Sequence, residues 1–273
     1  MPEGPEIRQA ADEVAKALVD RPVTEIFFAF DRLKSFEETL TGETITAVRT
    51  RGKAMVICFS VPLYIYSHNQ LYGRWYVRNL QSYPTTNRQL RLAIHNSKKS
   101  ALLYSASDIQ VLDEHGLATH PFLGRVELDV LDQAVTIEEV VDRFLDKRFH
   151  RRQLTSLLLD QHFLGGLGNY LRSEILFVAK VHPSLRPVDC DTGQIQALAQ
   201  AVLSVTHQSY LTKGITNDLQ IVAQLKEQHY KRSDYRHYVF GRQGKPCFLC
   251  GTAIIKDIYA GRRLYFCPQC QAL

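Results

Sequence analysis

No stretch of this chain approaches the roughly 18 consecutive apolar residues that a membrane-crossing helix needs. The opening residues also lack the basic and then greasy character of a signal peptide, being acidic and helix-like instead. The expectation is a soluble, cytoplasmic protein. Charge of one sign is not concentrated either. A net charge of +5 favours a polyanionic partner without separating nucleic acid from a membrane surface. There is no internal repeat and no low-complexity tract, and a disulfide framework is missing too. Of six cysteines, Cys58 sits in the apolar run Met55 to Phe59, Cys190 stands alone, and the other four crowd the C-terminus, which reads as one metal site plus two structural thiols. What is present is 273 residues with 45% apolar content, enough for two ordinary domains or one with small attachments.

Apolar residues at Ile7, Ala10, Ala11, Val14 and Leu18 have helical spacing, and Pro5 suits a first helical turn, so the N-terminus opens directly onto a helix. Between Val23 and Tyr104 the pattern changes to short branched and aromatic runs: Thr24 to Phe30, Ala54 to Phe59, Leu63 to Tyr66, Trp75 to Val77, Leu90 to Ile94 and Ala101 to Tyr104. With turn residues but no helical segment between them, they predict an antiparallel sandwich or barrel. After about Gly124, with Asp129 to Asp132 as a polar joint, helical periodicity returns at Ile137 to Leu145, Arg152 to Leu159, Tyr170 to Val178 and Ile195 to Val205. Residues Lys226 to Lys245 hold six Lys or Arg against two acids, interleaved with aromatics, which fits a solvated linker or a nucleic-acid strip equally.

Cys247-Phe-Leu-Cys250 and Cys267-Pro-Gln-Cys270 have the spacing of two knuckles closing a tetrahedron around Zn²⁺. Four sulfur ligands leave no open position for substrate, so one structural zinc is expected rather than a catalytic one. Gly261-Arg262-Arg263 falls at the tip of the intervening hairpin, where arginines can reach phosphates or simply aid solubility.

Removal of Met1, expected before a small residue, leaves Pro2 with a free secondary amine. An α-amine has a pKa of about 7.7 to 8, so about a tenth of it is unprotonated at neutral pH, and a helix start lowers the pKa further. Such an amine attacking an aldehyde-level carbon gives an iminium, an electron sink, and the adjacent Glu3 can shuttle protons. Pro and Glu are equally ordinary choices for a helix start.

The opening Pro2-Glu3-Gly4-Pro5-Glu6, the segment Leu167-Gly168-Asn169-Tyr170, and the terminal cysteines with Arg262 ahead of Cys267 together resemble the formamidopyrimidine-DNA glycosylase and endonuclease VIII family. The resemblance runs through the whole chain in order. It implies an α+β multidomain fold: an N-terminal antiparallel β-sandwich with a leading helix over 1–125, a helix-two-turns-helix DNA-binding domain over 126–225, and a zinc finger hairpin over 239–273. It further implies a monomeric bifunctional DNA glycosylase and AP lyase of base excision repair, acting on double-stranded DNA with a damaged base and nucleoid-associated in the bacterial manner. Pro2 would be the Schiff-base nucleophile, Glu3 the proton donor, Lys53 a phosphate contact assisting β-elimination, and Arg262 the finger arginine linked to δ-elimination. Asn169, following glycines whose exposed amides can cradle a phosphate, and Arg263 would contact DNA.

A base flipped out for excision leaves a gap in the stack that a side chain must fill. Gln70, Leu71 and Tyr72 offer an amide, an apolar wedge and an aromatic in succession on one turn. That triplet resembles the endonuclease VIII branch, as do Tyr104 to Asp108 and His120 to Arg125, with Arg125 matching a DNA-contact position. Oxidised pyrimidines are therefore the expected substrates. The alternatives are an oxidised-purine glycosylase of the formamidopyrimidine type and a zinc-ribbon DNA-binding protein without catalysis.

Overall fold

A computed structural model of the chain, describing every residue except Met1 and Ala260, divides after Arg125 into two units, Met1–Arg125 and Val126–Leu273. The first unit runs through α1 (Gly4–Leu18), β1 (Glu25–Phe28), α2 (Ser35–Leu40), β2 (Ile45–Arg51), β3 (Ala54–Phe59), β4 (Tyr64–His68), β5 (Arg74–Asn79), β6 (Leu90–His95), β7 (Lys99–Tyr104), β8 (Asp108–Leu112) and α3 (Glu114–Thr119). The strands form two four-stranded antiparallel sheets, ordered β1-β6-β7-β5 and β2-β3-β4-β8. The architecture is thus a sandwich and not a closed barrel.

Helix α1 begins where extended Glu3 ends, with the Glu6 carboxylate accepting the Glu3 backbone N–H at 2.9 Å. Ile7, Ala11, Val14 and Leu18 form one buried stripe, which joins Phe28, Ile57, Ile65, Ile94 and Leu103 from both sheets in a single core. Each large apolar side chain so buried contributes about 1.5 to 3 kcal/mol. The far end of α1 is held by buried Asn96, whose Nδ2 donates to the Ala17 carbonyl at 2.9 Å. All six residues of β3 are buried. Met55 and Ile57 face the sandwich core, while Ala54, Val56 and Cys58 pack with Tyr66 beneath Leu117 and Phe122. Strands β2 and β8 were not expected, because their half-buried faces break up any apolar run.

The second unit contains α4 (Ile137–Leu145), α5 (Leu154–Leu157), α6 (Asn169–Val178), α7 (Thr192–Leu211), α8 (Leu219–Glu227), α9 (Arg232–Tyr235) and the hairpin β9 (Ile255–Tyr259) and β10 (Arg262–Phe266). Helices α4 and α7 start at capping boxes, Thr136 with Glu139 and Asp191 with Gln194. Helix α5 is a single turn, shorter than the periodicity from Arg152 to Leu159 suggests. Asp129 to Asp132 is not a joint: Val130 and Leu131 are buried, and Asp129 bridges to Gly165 inside this unit. Gly165 must be glycine, since a Cβ there would come within 2.4 Å of the Val126 side chain. None of the described helices is long and apolar enough to cross a membrane.

Candidate active site and nucleic-acid interface

Pro2 immediately precedes the α1 cap and is half-buried. It lines a cavity of about 350 Å³ together with Glu6, Gln9, Asn69, Leu71 and Tyr72. Glu3, next in the chain, is 2% exposed, so its carboxylate sits in surroundings of low dielectric. Lys53 occupies the two-residue turn between β2 and β3, where Gly52 takes φ +58° and lets Arg51 pair with Ala54. At 7% exposure it is no ordinary surface lysine. Ala54 pairs with His68, and His68 with Asp108, so Lys53 lies beside a short polar row. Burial lowers the His68 pKa, with Asp108 opposing the shift and Lys53 adding to it.

The turn after β4 leaves two large side chains in solvent. Leu71 is 60% and Tyr72 68% exposed, values that a hairpin with no outside partner seldom gives two large apolar side chains together. The turn is tight: the Gly73 N–H bonds the Asn69 carbonyl at 2.7 Å, and a Cβ on Gly73 would collide with the Asn69 backbone. Arg88, from the segment between β5 and β6, donates to the Tyr72 carbonyl. Arg125 is exposed at the end of a 3₁₀ turn.

In the second unit, Asn169 opens α6 and is tied to the finger hairpin. Its Nδ2 donates to the Arg263 carbonyl at 2.8 Å, and its Oδ1 accepts from Arg172 Nη2 at 2.8 Å. Arg172, fully buried, also donates to the carbonyls of Thr155 at 2.8 Å and Arg263 at 3.2 Å. The glycine loop before Asn169 does not present all its amides outward: the Gly165 N–H bonds Leu128 and the Gly166 N–H bonds the Gln161 side chain. A loop packed this closely spends those donors internally. Arg262 and Arg263 are exposed at the start of β10, opposite Tyr259 and Ile258.

The Sγ atoms of Cys247, Cys250, Cys267 and Cys270 lie within 4.8 Å of one another, with Cys250 and Cys267 3.5 Å apart and Cys247 and Cys270 3.9 Å. Four thiolates held about 2.3 Å from one tetrahedral ion would be about 3.8 Å apart. Backbone N–H groups of Leu249 and Cys270 point at the sulfurs of Cys247 and Cys267, each at 3.4 Å, supplying the outer support thiolate ligands need. Hydrogen bonding from Thr252 lowers the Cys250 thiol to about 6, while burial raises Cys267 and Cys270. Four such groups can all be thiolates only around a cation, and the four cysteines are positioned to bind a metal ion.

The basic segment from Lys226 to Lys245 is partly packed into the second unit, with Lys226, Lys231, Arg232 and Lys245 left exposed. Tyr235 and His237 are buried, Arg242 stacks on Phe248 at 3.5 Å, and Lys245 pairs with Asp234. Its anchor is Glu174, fully buried on α6, which accepts the N–H groups of Tyr238, Val239 and Phe240 and the Thr216 hydroxyl. Arg172 and Glu174 were missed as functional supports. The available signal was two charges, one of each sign, inside a ten-residue helix that carries no other charge.

Residues 1–107 match the Formamidopyrimidine-DNA glycosylase N-terminal domain and residues 126–220 the Formamidopyrimidine-DNA glycosylase H2TH domain. Endonuclease 8 of Escherichia coli O127:H6 is 46% identical over 271 residues, covering 99% of this chain and 100% of that protein. Among solved structures, the Lactococcus lactis Fpg complex with abasic-site DNA shares the fold at TM-score 0.80 and 20% identity, covering 99% of this chain and 100% of that one. The wild-type Lactococcus lactis Fpg bound to oxidised-pyrimidine DNA does so at TM-score 0.81 and 20% identity, over 100% of both chains. The two family domains and the full-length relative define a DNA glycosylase of the helix-two-turns-helix class. The chain belongs to the formamidopyrimidine-DNA glycosylase family.

Proposed function

We propose that this DNA glycosylase and AP lyase of base excision repair removes oxidised pyrimidines through a Schiff base on Pro2 and cleaves the strand by β,δ-elimination. The observation that carries the reading is the cavity shared by Pro2, Leu71 and Tyr72, which puts the attacking amine next to exposed side chains able to fill a vacated stack. With Met1 removed, the Pro2 nitrogen attacks C1′ of the damaged nucleotide, the C1′–base bond breaks, and Glu3 supplies a proton during base release and ring opening. The resulting iminium makes the C2′ proton acidic. Its loss expels the 3′ phosphate, and a second elimination expels the 5′ phosphate. Lys53 and Arg262 serve these steps as phosphate contacts.

Gln70, Leu71 and Tyr72 take the place of the flipped nucleotide, and Arg125 and Arg263 hold the phosphate backbone of double-stranded DNA. Asn169 keeps a second amide N–H for a phosphate beyond the one given to Arg263. The four cysteines hold one structural Zn²⁺, which when bound fixes the two knuckles and with them the base of the hairpin. The protein acts as a monomer in the cytoplasm, associated with the nucleoid through DNA.

Borohydride reduction of the enzyme with damaged duplex, followed by mass mapping, tests the nucleophile. The adduct is expected on the Pro2 nitrogen, and an adduct on Lys53 would overturn the assignment. Thymine glycol duplex should turn over faster than 8-oxoguanine duplex at one stated salt concentration, and the reverse order would move the chain to the oxidised-purine reading.

A further inference from the structure

The turn that carries Gln70 is held in one conformation by groups outside it. Gln70 has φ +49°, a left-handed backbone that costs a non-glycine residue about 1 kcal/mol and persists only when its surroundings impose it. Two contacts impose it here. The Gln70 N–H donates to His68 Nδ1 at 3.1 Å, and Ser107 Oγ, from the segment between β7 and β8, donates to Gln70 Oε1 at 2.6 Å. The second contact matters for recognition. A hydroxyl engaging Oε1 takes one of its two lone pairs and biases the amide toward meeting an orphaned base with its Nε2–H₂ end, as a hydrogen-bond donor that favours an acceptor edge.

We infer that Ser107 is a positioning residue that sets the direction of the Gln70 amide and thereby the preference for the base opposite the lesion. This rests on the reading of Gln70 to Tyr72 as the segment that fills the vacated stack. Ser107 is exposed and its hydroxyl is bonded to the Gln70 side chain, so no part in the chemistry is assigned to it. Its hydroxyl acts on discrimination between opposite bases, leaving the rate on a substrate without an opposite base untouched.

The test measures kcat/KM for one oxidised pyrimidine placed opposite guanine, adenine and a baseless tetrahydrofuran residue. The proteins compared are the wild type, Ser107→Ala, Ser107→Thr and Gln70→Ala. Ser107→Ala should shift the guanine-to-adenine ratio about fivefold toward that of Gln70→Ala, the scale of one neutral hydrogen bond, with no change opposite tetrahydrofuran. Ser107→Thr, which keeps the hydroxyl, should retain the wild-type ratio. If Gln70→Ala moves the ratio and Ser107→Ala does not, the inference falls while the stack-filling reading stands. If Gln70→Ala leaves the ratio unchanged, the reading falls and takes the inference with it. An equal loss on all three substrates for Ser107→Ala would mark a merely structural residue and overturn the proposal.

Discussion

The carboxylate of Glu174 accepts the backbone N–H of Val239 at 2.9 Å, so helix α6 holds the chain that leads into the first cysteine knuckle. Burial raises the Glu174 pKa, and the hydroxyl and three amides around it work in the opposite direction. Replacing Glu174 by Ala removes at once the acceptor of three backbone N–H groups and of the Thr216 hydroxyl. We expect a loss of about 3 to 5 kcal/mol in urea unfolding, in the range of a buried charge network broken from one side. A loss below about 1 kcal/mol, the scale of an ordinary surface change, would show that the carboxylate is not the anchor.

Leu71 presents the opposite case, a large apolar side chain that stabilises nothing in the free protein because it is 60% exposed. Leu71→Ala should leave the free energy of urea unfolding within about 0.5 kcal/mol of the wild type while lowering kcat/KM on damaged duplex by tenfold or more. An unchanged rate would remove it from the stack-filling role.

Elements whose burial pattern is simple were readable from the residues alone. Strand β3 is covered on both faces and so reads as the unbroken apolar run Ala54 to Phe59, and α4 shows its periodicity over the same residues, Ile137 to Leu145, that form the helix. The four cysteines carry their spacing openly. Strand β2, by contrast, mixes exposed Thr46, Arg49 and Arg51 with half-covered Ala47, Val48 and Thr50 and buries only Ile45, which is the pattern of any exposed segment. Ser107 lay within the resembling stretch Tyr104 to Asp108 without a role of its own, and Arg88 gave no warning, because each acts through one hydrogen bond to a residue distant in sequence, and such a bond leaves no local period. Asp129 to Asp132 misled because two flanking acids suggested a surface joint, although the apolar pair between them is buried.

Metal removal should act on the second unit. Stripping the four-cysteine site with a strong chelator should release one zinc per chain, lower the thermal midpoint and weaken DNA binding, since the hairpin bearing Arg262 and Arg263 springs from those knuckles. Metal analysis finding no stoichiometric zinc in folded protein would refute the assignment.

Glu3→Gln should separate the two halves of the reaction. A carboxamide cannot deliver the proton that base release needs, so excision of an oxidised pyrimidine should fall by about 10² to 10⁴ fold. A preformed abasic site has no base to expel, and strand cleavage there should fall much less. Equal losses on both substrates would place Glu3 in the lyase steps instead, and trapping with borohydride would tell which step had failed.

His237 is buried against Tyr170 of α6, its Nδ1 2.8 Å from the Thr216 hydroxyl that also donates to Glu174. Burial pushes its pKa well below the usual histidine value, and Arg236 and Arg232 push the same way. The folded state therefore keeps the imidazole neutral while the unfolded chain binds a proton below about pH 6.5. With more protons bound when unfolded, stability is full above that pH and falls as pH drops toward the folded-state value. The raised pKa of Glu174 acts in the other sense, so the two must be separated by a variant. Between pH 7.5 and 5.5 the wild type should lose up to about 1.4 kcal/mol per pH unit relative to His237→Asn, the limit set by one proton. Parallel unfolding profiles for the two proteins would mean that His237 is protonated in the native state, and the neutral network with Thr216 would have to be abandoned.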